Sequence, residues 1–129
     1  MARAPLHPTP DQIELPMLLD CLSDPTRLAI VYNLANLEGR DAELRCGNFT
    51  GFGAKSNLTY HFSRLREAGI VQTRVEGTGR FMRLRRKELD ARFPGLLDSI
   101  LASAARDSAR LELPTCVGAP SATKSKKGR

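Results

Sequence analysis

Apolar residues recur along the first third of the chain at helical spacing. Leu15, Leu18, Leu19 and Leu22 fall at i, i+3, i+4 and i+7, which lines one face of an α-helix, and Pro16 fits its first turn. A second helix starts at Asp24-Pro25, an N-cap followed by proline at the first helical position. Its Leu28, Val31, Leu34 and Ala35 are expected to face inward, with Gly39 as the C-terminal stop. Gly39, Gly47, Gly51 and Gly53 then break up residues 39–54, leaving room for a short strand over Glu43–Cys46 and one brief helical turn.

From Ser56 to Ala68 the helical period returns. Leu58, Phe62 and Leu65 share one face, while Asn57, Tyr60, His61 and Arg64 share another, and Gly69 ends the helix. Two β-rich runs, Ile70–Val75 and Arg80–Arg85, flank the turn Glu76-Gly77-Thr78-Gly79 and predict a hairpin. Lys87–Arg92 reads as a short helix, and Pro94 as the start of a last one carrying Leu96, Leu97, Ile100, Leu101 and Ala104 on one stripe. Residues 1–10, with three prolines, read as a flexible arm. Residues 114–129, rich in Gly, Pro, Ser, Thr and Lys, read as a disordered basic tail. Between them, residues 11–113 form one domain without internal repeats: mainly α with a β-hairpin, in the order helix, short helix, helix, hairpin of a winged helix-turn-helix.

Composition narrows the picture. At 129 residues, 41% apolar, 5% aromatic and without Trp, the chain supports a modest aliphatic core. A second copy sharing an apolar interface would steady it. No apolar run is long enough to span a bilayer, and MARAPLHPTP lacks the apolar stretch of a secretory signal. The expectation is a cytoplasmic protein with no membrane partner. Cys21, Cys46 and Cys116 are odd in number and show no paired spacing, so reduced thiols are the default.

Charge is unevenly distributed. Residues 1–54 carry four basic and seven acidic groups, a net −3, and residues 55–87 carry nine basic and two acidic, a net +7. Residues 88–115 carry three and five, a net −2, and residues 116–129 add four basic groups with no acid. Positive charge concentrated on one segment attracts a polyanion. In a winged helix-turn-helix the helix before the hairpin enters the major groove, where short polar side chains meet base edges. Asn57 then suits adenine, His61 and Arg64 suit guanine, and Ser56 and Thr59 suit base or phosphate, with Tyr60 on the same stripe. The helix N-terminus near Lys55 and Ser56 suits a phosphate. Arg74, Arg80 and Arg83 of the hairpin suit the neighbouring backbone or the minor groove.

The segments LSDPTRLAIVYNL and KSNLTYHFSRLREAGIVQTRVEGTGRFMRL together resemble the ArsR/SmtB family of bacterial winged-helix repressors. The marks are Asp24-Pro25-Thr26-Arg27-Leu28, the helix with Ser56, His61 and Leu65, and Leu65-Arg66-Glu67-Ala68-Gly69 leading into the hairpin. The resemblance covers roughly residues 12–105, and LDARFPGLLDSIL is similar to the last helix of one subgroup. It implies a homodimer built from the first and last helices, bound to an inverted-repeat operator on double-stranded DNA until a signal releases it. Leu15, Leu18, Leu19, Leu22, Leu96, Leu97, Ile100 and Leu101 are where that interface would fall; the same stripes also suit an intramolecular core, and the two are not exclusive.

The chain departs from the family pattern at its sensor sites. The region before the recognition helix has Cys46 alone, and the last helix has Asp98 with no histidine near it. The two histidines, His7 and His61, lie in the arm and the recognition helix. A zinc site wants three or four compactly spaced N/S ligands, so no metal and no cofactor are expected. Ala54 stands where the family usually has a capping serine. Cys46, beside Arg45, and Cys116, in the tail, are the candidates for a thiol-based redox sensor, which requires a lowered pKa and exposure. The remaining readings are a non-specific DNA- or RNA-binding architectural protein, which the basic tail favours, and a protein-interaction winged helix, which leaves the arginines unexplained. An enzyme is not expected. A nucleophile needs a supporting histidine and carboxylate, yet His61 lies inside the basic stripe and His7 in the proline-rich arm, and GFGAKS lacks the first-glycine spacing of a P-loop.

Overall fold

The computed structural model describes residues 6–37 and 43–111. Five α-helices and three strands follow one another: α1 (Leu15–Leu22), α2 (Pro25–Ala35), β1 (Leu44–Arg45), α3 (Lys55–Glu67), β2 (Val71–Glu76), β3 (Gly79–Leu84), α4 (Arg86–Arg92) and α5 (Leu96–Leu111). A 3-10 segment, Cys46–Phe52, kinked at Phe49, stands between β1 and α3 as the short helix of the helix-turn-helix. The architecture is that of a winged helix, mainly helical with a small antiparallel sheet.

Local chemistry sets the boundaries. Asp24 caps α2, its Oδ2 accepting from the Arg27 amide at 3.0 Å. The helix stops at Ala35, before the expected Gly39, which lies outside the described residues. Asn36 closes it, its amide returning to the Tyr32 carbonyl at 3.1 Å. The inward face of α2 is also rotated from the expected one. Arg27, Ala29, Ile30, Val31 and Leu34 are buried, whereas Leu28 and Ala35 are half-buried, because α2 packs against helices on more than one side.

Gly69 ends α3 at φ +82°. A Cβ there would overlap the buried Ile13 side chain, so both conformation and space require glycine. In the wing, Glu76 pairs with Gly79, leaving a two-residue turn whose first residue, Gly77, takes φ +61°, as a primed hairpin turn demands. Pro94 does not open the last helix. Gly95 intervenes, and α5 begins at Leu96.

The hairpin gains a third strand that periodicity did not pair. β1 lies antiparallel to β3, with Leu44 opposite Met82 and Arg45 opposite Phe81, giving the order β1-β3-β2. Val71, Thr73, Met82 and Leu84 turn one face of the sheet into the core, where α2 and α3 meet it. Phe49, Phe52 and Phe62 pack edge to face, with centroids 5.1 and 5.7 Å apart, and fix the 3-10 segment beneath α3.

The described part of the expected flexible arm makes specific contacts. Leu6 and Pro8 carbonyls accept from Arg66 Nε at 3.1 Å and Arg85 Nη1 at 2.9 Å, and His7 Nε2 accepts from the Thr73 amide at 3.0 Å. Ile13 O accepts from Arg92 at 2.9 and 3.1 Å. Residues 1–5 and the expected basic tail from 114 lie outside the described residues.

Candidate nucleic-acid interface

The recognition helix α3 is held from behind and open in front. Leu58 and Leu65 are buried against the core, while Lys55, Ser56, Asn57, Thr59 and Tyr60 are exposed. No side chain caps the helix: Ala54 occupies the cap in extended conformation. The first-turn amides are therefore not taken up by a side chain at that position. Thr59 Oγ1 donates back to the Lys55 carbonyl at 3.0 Å, leaving its lone pairs on the outer side. Short polar groups thus crowd the N-terminal half of α3, where a helix entering the major groove meets base edges.

Two residues of this stripe make contacts within the protein. His61 is mostly buried, its Nδ1 accepting from Arg27 Nη1 at 3.1 Å and its Nε2 lying 3.9 Å from Asp24 Oδ2. Arg64 is half-buried and pairs with Asp20 of α1 at 3.5 Å and Glu67 at 3.7 Å. Helical periodicity put both on the polar face, but they fall at its edge, where α2 packs against α3 and Asp20 of α1 reaches Arg64.

The wing arginines also separate. Arg74 is clasped by Glu43, just before β1, with Nη2 2.8 Å from Oε1 and Nε 3.1 Å from Oε2, and bonds Glu76 as well. The Arg74 hydrogen bonds hold the Glu43 carboxyl below the usual carboxylate range, and the two carboxylates raise the Arg74 guanidinium above its own. Arg83 bonds Gln72 across the strand pair. Arg80, next to the turn, is exposed and forms no ion pair among the described residues. Arg45 lies with its guanidinium carbon 5.2 Å from the Phe81 centroid, and Arg74 lies at 4.6 Å from the same ring. Arg45 belongs to the net-acidic first 54 residues, so the charge distribution does not single it out. The usable signal was its place on a strand facing the wing.

The apolar stripes divide between core and surface. Leu18, Leu22 and Leu97 are buried within the subunit and belong to its core. Leu15 and Leu19 are exposed at 40% and 45%, and Leu96, Ile100 and Leu101 are half-buried along α5.

At the two described thiols, burial disfavours the thiolate. Burial pushes Cys21 up from its ordinary pKa, and it pushes Cys46 up too, despite the opposing charge of Arg80. Cys116 lies outside the described residues. Among the described residues no three His, Cys, Asp or Glu side chains gather where they could hold a metal ion. No helix among them is long and apolar enough to cross a membrane.

No family model matches the chain. It is 36% identical over 95 residues to an uncharacterized HTH-type transcriptional regulator of Bacillus subtilis (strain 168), YceK. The match covers 70% of this chain and 88% of the relative.

Proposed function

The chain belongs to the HTH-type transcriptional regulators, and from that premise we propose that it is a homodimeric, ArsR-like repressor reading an inverted repeat in double-stranded DNA. It works in the cytoplasm, by binding and not by catalysis, without the family's usual metal site. The observation that carries this reading is the exposed, polar N-terminal half of α3. Ser56, Asn57, Thr59 and Tyr60 stand clear of the core there. Lys-Glu pairs, the ordinary dress of a solvated helix, do not occur on that surface.

Pairing of two copies rests on Leu15 and Leu19 of α1, flanked by the half-buried Leu96, Ile100 and Leu101 of α5. Large apolar side chains so exposed on one helix are an expected site of association. Two copies would present two α3 helices to successive major grooves, so the half-sites should lie about one helical turn apart, roughly 34–36 Å.

The test is a titration against the DNA upstream of the protein's own gene, at physiological salt with excess random competitor. Affinity in the range of about 10⁻⁸ to 10⁻¹¹ M that survives competitor is expected. Binding that competitor removes, on this DNA and on fragments selected genome-wide, would instead mark a non-specific architectural protein.

A further inference from the structure

Formal charge overstates what the basic segment offers a polyanion. Of its nine basic residues, Arg64, Arg74, Arg85 and Arg86 already face carboxylates. Arg66 bonds the Leu6 carbonyl and Arg83 bonds Gln72. Lys55, Arg80 and Lys87 remain without such a partner among the described residues. Arg45, from outside the segment, is a fourth cation of this kind. It is exposed, it forms no ion pair among the described residues, and its Nη2 lies 3.2 Å from where a Cβ on Gly79 would stand, beside the wing turn.

Arg45 and Arg74 flank the same ring from opposite neighbours, since Phe81 of β3 pairs with Arg45 of β1 on one side and Arg74 of β2 on the other. Their electrostatic surroundings are opposite. Arg74 carries two carboxylates, Glu43 and Glu76, which neutralise it and repel any approaching phosphate. Arg45 faces the ring and no carboxylate among the described residues. Seating a guanidinium on an aromatic face leaves its edge donors free and removes much of its rotamer freedom beforehand, so less entropy is lost when an anion arrives. Arg45 also immediately precedes the 3-10 segment that opens the helix-turn-helix.

We infer that Arg45, seated on Phe81, is a backbone-phosphate contact at the end of the wing, and that Arg74 is a strut of the sheet that does not touch DNA. This deepens the DNA-binding reading and rests on it. A phosphate contact carries no sequence information, so its loss acts on all duplexes alike.

Dissociation constants of the full chain for its preferred duplex and for a random duplex are measured between about 50 and 300 mM salt. Arg45→Ala is expected to weaken both about fivefold at 0.15 M salt and to lower the salt slope by about one. Arg74→Ala is expected to keep the wild-type slope, and Arg45→Lys, which retains the charge, to keep it too. Thermal melting controls for folding; if Arg45→Ala melts early, Arg45→Gln, which preserves bulk, replaces it with the same expectation. A wild-type slope in the Arg45 neutral variant, or an equal drop in Arg74→Ala, overturns the inference while leaving DNA binding intact. A wild-type protein that binds neither duplex overturns the DNA reading itself.

Discussion

Arg27 and His61 meet 34 positions apart, the Arg27 Nη1 donating to the His61 ring at 3.1 Å while its Nε donates to the Cys21 carbonyl at 2.7 Å. One buried guanidinium therefore ties the end of α1 to α2 and to the recognition helix. Removing it strands two acceptors in a region with little water. Arg27→Ala is expected to cost about 2–4 kcal/mol of stability, read as a lowered denaturant midpoint with unchanged slope. His61→Ala removes one of these bonds and should cost about 1 kcal/mol. It should also leave the ratio of preferred to random DNA affinity near wild type. A collapse of that ratio would return His61 to the reading surface.

Asn57 carries the opposite expectation. Its side chain is exposed on the first turns of α3 with no internal partner among the described residues. An amide there suits the paired donor and acceptor of adenine in the major groove. Asn57→Ala should cost about 1–3 kcal/mol on the preferred duplex and little on random DNA, with melting unchanged. Equal losses on both duplexes would reduce Asn57 to a backbone contact.

These two cases show how far the amino-acid pattern reaches. Periodicity locates α3 and its polar face, because a 3.6-residue repeat reports which side is buried somewhere. It does not report which neighbour presses on the edge of that face, and so His61 and Arg64 sort with Asn57 in sequence although His61 lies mostly buried against Arg27 and Asp24, and Arg64 pairs with Asp20 at the surface. The wing hairpin is legible from two β-rich runs around Gly77. The pairing of Leu44-Arg45 with β3 is not, since two residues carry no period and their partner lies 36 positions or more away. Leu18 and Leu19 adjoin on one stripe, yet one is buried and the other exposed, because an apolar face wider than its own core contact leaves a remainder outside. The count of arginines was legible as well, but not their division between carboxylates and free surface.

Glu43 and Arg74 link β1 to β2 across the wing and give it a pH dependence. The Arg74 bonds hold the folded-state pKa of Glu43 below its unfolded value. A depressed carboxyl stabilises the fold at pH values above the unfolded pKa, and the contribution is lost as pH falls through the lowered folded value. Stability should therefore decline on acidification through and below the ordinary glutamate range. Glu43→Gln should be less stable than wild type at neutral pH and show a shallower acid limb, with the two curves converging at the acid end. Parallel curves would show that the pair contributes nothing to folding, as exposed ion pairs often do.

Leu19 decides whether the apolar surface is a pairing surface. Leu97 cannot serve, because it is 4% exposed and a charge there would unfold the subunit whatever its oligomeric state. Leu19 is 45% exposed on α1, so a carboxylate at that position remains solvated in a monomer and is buried only if a second copy covers it. Leu19→Glu is thus expected to halve the mass seen by sedimentation. It should also lower affinity for a two-half-site duplex at least tenfold while leaving the far-UV spectrum intact. The half-site duplex gives the internal control. One copy of α3 contacts it in either form, so its weak affinity should be the same for variant and wild type. If Leu19→Glu remains a dimer with full operator affinity, the interface lies away from α1. Leu15 and Leu19 then belong to another partner's footprint, and two-fold reading of DNA needs a different pair of helices.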